Sequence, residues 1–170
     1  MTFTTLPTIT IRQPWTWLIF QHHAPKLRKD IENRSWPLPE KFLNTPVLIH
    51  SSASAKANPR MVELQWASRG FVNPALLTEI PERGIAMRGC IVGAVVFSEC
   101  IRNNGDTPQP SAWCDAEAGF WWQIQKAIAL PPISAKGRLN FWKFDLDSIL
   151  LPLLSHLGPT NPKFENKNEM

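Results

Sequence analysis

Apolar and polar positions alternate with a period of two near the start of the chain. Thr8-Ile9-Thr10-Ile11-Arg12 is also rich in β-branched residues, which predicts a first strand. Pro14 suits the first turn of a helix. Trp15, Leu18 and Ile19 would share one face of a helix running from Trp15 to His22 and ending at Ala24-Pro25. Arg28 to Trp36 reads as a second extended segment, broken by Pro37 and Pro39, and Pro46 to His50 as a short apolar third. Pro59 to Arg69 has helical spacing, with Met61 and Leu64 on one side and Gly70 closing it. Pro74 to Leu77 reads as a further helical turn.

The strongest strand signal is Gly89 to Ile101, apolar on both faces until Ser98 and Glu99. A strand buried on both sides belongs at the centre of a sheet. Asn103 to Pro110 carries the residues of a loop. Gly119 to Leu130 predicts a long strand, with a helix as the competing assignment, and Leu139 to Leu146 predicts a further strand. Asp147 is placed to cap a short last helix ending near Leu154. The sum is an α+β chain of five to six strands with two to three flanking helices. A small mixed β-barrel fits that count, since closing the sheet removes its exposed edges. Residues 1–158 would form one domain, and 159–170 a flexible polar tail.

Composition narrows the partners. The 170 residues are 44% hydrophobic and 19% charged, as in a globular domain. Eight Trp and no Tyr is unusual, and a flat indole that faces a cleft can stack on a flat ligand. A net charge of +4 favours an anionic partner. It is too modest to hold duplex nucleic acid without a shaped site. Cys90, Cys100 and Cys114 form no Cys-x-x-Cys pair, and His22, His23 and His50 show no ligand spacing, so neither a metal nor another cofactor is expected. There is no signal peptide pattern and no membrane-spanning apolar run. A cytoplasmic monomer or weak dimer is the expectation.

Several residues could carry chemistry. Glu32 and Arg34 are two apart in an extended segment and share a face. Lys29 needs a bend to join them. Together they could form a charged site or an ordinary surface ion pair. Glu99 ends an apolar strand, at a barrel mouth or an exposed strand end, and could pair with Glu32. Gln13 can read a base edge, and the start of the helix after it offers N–H groups to a phosphate. Trp36 and Trp113 are the rings best placed for stacking, whereas Trp15 reads as core. Trp121 and Trp122 are adjacent in a strand and face opposite sides. His50 ends a strand, where it is either a phosphate contact or a structural histidine. Arg12, Lys56, Arg60, Lys136 and Arg138 could supply a basic rim.

Four segments in order, ITIRQPWTW from Ile9, KDIENRSW from Lys29, VLIHS from Val47 and IVGAVVFSEC from Ile91, with the aromatic Phe120-Trp121-Trp122 after them, resemble the ASCH family of PUA-like domains. The resemblance covers about Ile9 to Phe144. It implies a PUA-like barrel that handles RNA or a modified nucleobase. It also implies a cleft built on Lys29, Glu32, Arg34, Trp36 and an acidic residue at Glu99, with His50 in the family's Leu-Ile-His strand. Some relatives act as amidohydrolases on acetylated cytidine, others as ribonucleases. In the amidohydrolase branch a threonine nucleophile follows the lysine by three residues, and that position here is Glu32. Three functions follow. One is a reader of RNA or a modified nucleoside through Gln13, Arg34, Trp36, His50 and Trp113. One is a hydrolase using Lys29, Glu32 and Glu99. The last is a protein-interaction adaptor using the Trp-rich surface.

Overall fold

The computed structural model describes residues 2–22, 28–54 and 87–158. The helical segments expected at 59–69 and 74–77, the tail 159–170, and Lys56 and Arg60 of the expected rim lie outside the described residues.

Six strands, β1 (Phe3–Ile11), β2 (Ile31–Arg34), β3 (Pro46–Ser51), β4 (Cys90–Arg102), β5 (Phe120–Ser134) and β6 (Phe141–Asp147), form one mixed sheet. Their order is β2-β5-β4-β3-β1-β6. β1 and β3 are parallel, and every other pair is antiparallel. Two short α-helices, α1 (Trp15–Ile19) and α2 (Leu151–Leu154), flank the sheet among the described residues. The α+β class follows the sequence pattern. The sheet is open, since no ladder joins its edge strands β2 and β6. It is nevertheless coiled enough for its ends to approach. Arg34 of β2 donates from Nη2 to the Thr10 carbonyl of β1 at 3.2 Å. Phe141 of β6 stacks on Trp122 of β5, with ring centroids 5.8 Å apart and planes 12° from parallel.

β4 has the central place its two apolar faces predict. Val95 and Phe97 join an inner cluster with Ile9, Val47, Ile49 and Trp122. Ala94 and Val96 join an outer one with Leu48 and Leu146, which Leu154 and Leu157 cover. The alternation changes phase partway along. Cys90 and Val92 reach the inner cluster from even positions, Val95 and Phe97 from odd ones. The cause is a bulge. Ile49 faces Gly93 and His50 faces Ile91, which leaves Val92 as an extra residue against β3, and an extra residue turns the following side chains over. Gly93 has no room for a Cβ, which would come within 2.5 Å of both the Ile128 carbonyl oxygen and the Phe20 ring.

Element ends depart from the pattern where tertiary pairing wins. β1 begins at Phe3 because β6 pairs with it from Phe3 to Ile9. Pro7 is tolerated because the β1–β3 pairing begins only at Thr8 and Leu48, so at Pro7 β1 is paired on the β6 side alone. β5 continues to Ser134 through Pro131 and Pro132. Leu130, Pro131 and Pro132 together stand opposite Val92 alone, outside the stretch that pairs with β2. α1 stops at Ile19 rather than His22, and the Lys29 N–H bonds back to the Leu18 carbonyl at 3.0 Å. Asp147 caps not α2 itself but the 3₁₀ turn Ser148–Leu150 that leads into it, accepting from the Ile149 N–H at 3.1 Å. No helix among the described residues is long and apolar enough to cross a membrane.

Candidate functional site

β2 is short, and the segment before it bends. The bend turns Lys29 toward the face that carries Glu32 and Arg34. The Lys29 ammonium meets Glu32 Oε2 at 2.7 Å and donates also to the Ile31 carbonyl. Arg34 Nη2 meets Glu32 Oε1 at 2.9 Å. The guanidinium lies 5.7 Å from the Trp122 ring centroid, a cation–π distance. Lys29 and Glu32 are buried, with 3% and 6% of their surface exposed, while Arg34 is half-buried. Burial by itself would raise the Glu32 pKa. The Lys29 ammonium and then the Arg34 guanidinium, through charge and hydrogen bonds, outweigh it and hold the carboxyl below its ordinary value.

Glu32 and Arg34 form the floor of a cleft of about 510 Å³, ample for a nucleoside-sized ligand. Trp15 and Trp36 stand in its wall, with Arg12 and Arg138 at the rim. Glu32 is the one carboxylate among the described lining residues, against Arg12, Arg34 and Arg138, so the cleft is cationic. Trp36 is steadied edge-on by Trp122 at 4.7 Å and Phe141 at 5.8 Å. Trp15 is steadied edge-on by Trp113 at 6.4 Å. Leu139, 91% exposed, also borders the cleft. Arg34 Nε has no acceptor among the described residues.

Other expected site residues are placed elsewhere. Glu99 is exposed and stands opposite Gln123 on β5, whereas Glu32 stands opposite Trp122. Consecutive residues of a strand face opposite sides, so Glu99 projects away from Glu32 and the carboxylate pair does not form. Lys29 lies behind Glu32 and does not line the cleft. Gln13 is buried and committed internally, donating to the Met87 carbonyl at 3.0 Å and accepting from the Trp17 N–H at 3.1 Å. The expected anion site at the start of α1 is filled from within the chain. The Thr16 N–H bonds the Arg12 carbonyl, Trp17 the Gln13 side chain, and Leu18 the Pro14 carbonyl.

His50 is fully buried, with Nε2 3.0 Å from the Ala135 carbonyl and the ring against Gly137. Burial lowers its pKa more than that bond raises it. The shift favours the neutral ring, and His50 does not line the cleft. Trp113 is buried behind Trp15, so the two rings exchange the parts expected of them: Trp15 faces the cleft and Trp113 supports it. Trp121 and Trp122 face opposite sides as expected, and both are buried. Trp122 joins the inner core, and Trp121 Nε1 donates to the Asp115 carbonyl at 2.8 Å. Lys136 is exposed and does not line the cleft.

Asn33 and Leu139 line the cleft without a signal in the sequence. Asn33 is anchored by bonds with the Trp113 carbonyl and the Asp115 N–H, each 2.9 Å. Among the described residues, no three His, Cys, Asp or Glu side chains converge as metal ligands would. No protein-family model matches this chain, and no curated protein matches it either.

Proposed function

We propose that the cleft over Glu32 and Arg34 binds a nucleobase, carried on RNA or as a modified nucleoside, in a domain of the ASCH, PUA-like type whose coiled sheet approaches a small barrel. The observation that carries this reading is the buried Lys29–Glu32–Arg34 cluster at the floor of a cationic cleft walled by two steadied indoles. Glu32 offers an acceptor and Arg34 an adjacent donor. Such a pair suits a base edge that presents both kinds of group. Trp15 and Trp36 offer ring surfaces for stacking, and Arg12 and Arg138 offer charge to a phosphate.

The same chemistry speaks against hydrolysis. A carboxylate held below its ordinary pKa by two cations is a poor general base. Lys29 lies behind that carboxylate rather than facing a substrate. Glu99, the second acid of the hydrolytic reading, is on the other face.

A nucleoside and nucleotide panel that includes N4-acetylcytidine tests this, with tryptophan fluorescence for binding and chromatography for turnover. Saturable quenching without turnover is expected. Trp36→Ala should weaken binding on the order of tenfold or more, the loss of one stacked base. Turnover abolished by Lys29→Met and Glu32→Gln would replace the reader with a hydrolase. Absence of both signals, with RNA as well as with nucleosides, would leave the protein-interaction reading in its place.

A further inference from the structure

A second compartment adjoins the cleft. A groove, also of about 510 Å³, runs beside it on the β6 side, and Trp36 and Asn140 line both. The groove's lining is largely aromatic. Phe42 and Phe141 lie 4.0 Å apart, centroid to centroid, with planes tilted by 31°, and Trp142 continues the lining. Trp36 meets Phe141 edge-on and forms the divide between the two spaces. Two exposed cations, Lys41 and Lys143, border the groove, and no carboxylate lines it among the described residues.

A single nucleoside in the cleft would leave this groove unoccupied. A strand of nucleotides uses both. With one base over Glu32 and Arg34, its neighbour would run along the aromatic lining past Trp36 toward Trp142, and the phosphates would pass Lys41 and Lys143. We infer that the cleft and groove together take a single-stranded oligonucleotide of at least two nucleotides, which rests on the base-binding reading above and extends it from a base to a strand. A duplex is a poor occupant, since its base faces are stacked on one another and closed to the rings. A proline-rich peptide would also suit an aromatic groove. The cationic border favours a polyanion instead.

The test titrates the full chain with the 5′-mononucleotide, dinucleotide and tetranucleotide of one base, as RNA and as DNA, with a duplex and a proline-rich peptide as comparisons. Affinity should rise on the order of tenfold or more from mononucleotide to dinucleotide, for RNA, DNA or both. In the charge-reversed double variant Lys41→Glu/Lys143→Glu that gain should collapse toward one. Its slope of log affinity against log salt should also be shallower by about 0.7 for each lysine that no longer neutralises a phosphate. Equal affinity for mononucleotide and oligonucleotide would overturn the inference and leave the base-binding cleft standing. So would a gain that survives the double variant, a duplex bound as tightly as the strand, or a peptide bound in preference. No binding of any nucleotide, at any length, would bring down both.

Discussion

Lys29 and Glu32 are three apart, a spacing that in a regular strand would set them on opposite faces. They meet because Lys29 precedes β2 and its backbone is tied to α1 through the Leu18 carbonyl. Period two made Glu32 and Arg34 legible as one face. The turn of Lys29 depends on a bond outside the motif and was not. The energetics of the cluster are asymmetric. Removing one partner of a buried pair strands the other, which costs about 3–5 kcal/mol. Glu32→Ala would leave the Lys29 ammonium with the Ile31 carbonyl alone among its described partners and should lower unfolding free energy by about that much in urea. Lys29→Met leaves Glu32 bonded to Arg34 and should cost clearly less. The double variant should cost less than the sum of the two. Equal losses that simply add would mean that the ions are hydrated and do not depend on each other. Trp15 and Trp113 show another limit of residue-scale reading. Both rings belong to one edge-on pair, and nothing in either one's local sequence says which is outermost.

β4 was the most legible element, because burial on both faces leaves an unbroken apolar run. The strand expected for β5 stops at Leu130, where the ordinary rule that proline ends a strand would also stop it. That rule concerns ladder hydrogen bonds, and Pro131 and Pro132 stand in a bulge opposite a single residue. The bulge in β4 was hidden because Val92, Gly93 and Ala94 all suit a buried strand, so a change of phase leaves no polar residue out of place. Gly93 is its structural signature. Strand propensity alone would have Gly93→Ala stabilise the sheet, since glycine weakens strand interiors. The geometry reverses the sign. The added methyl would sit 2.5 Å from the Ile128 carbonyl oxygen and from the Phe20 ring, and a shift of the backbone of β5 is not cheap. Gly93→Ala should therefore destabilise by about 1–3 kcal/mol. The expected signature is a lower denaturant midpoint with unchanged m-value. A midpoint equal to or above that of the natural chain would show that β5 gives way freely.

The net charge of +4 was countable from the sequence, but its distribution was not. The coiled sheet gathers Arg12 after β1, Arg34 from β2 and Arg138 before β6 around one cleft. The same coiling buries two titrating groups, and both give the whole molecule a pH dependence of one sign. His50 has a folded-state pKa below its ordinary 6.5. As pH falls through 6.5 the unfolded chain takes up a proton that the folded chain refuses, and stability drops. Glu32, held below its ordinary 4.5, contributes stability that is present above 4.5 and lost as pH falls through its folded value. His50 therefore governs the upper part of the acid limb. His50→Gln is designed to keep a donor for the Ala135 carbonyl without a group that titrates. The difference in unfolding free energy, natural chain minus variant, should shrink as pH is lowered from 7.5 to 5. Its slope should not exceed about 1.4 kcal/mol per pH unit, the limit for one proton. Growing positive charge at low pH destabilises both proteins alike and cancels in the difference. A difference that stays constant across that range would mean that His50 takes up its proton equally in the folded and unfolded chains, and that the corner formed by Ala135 and Gly137 is open to water.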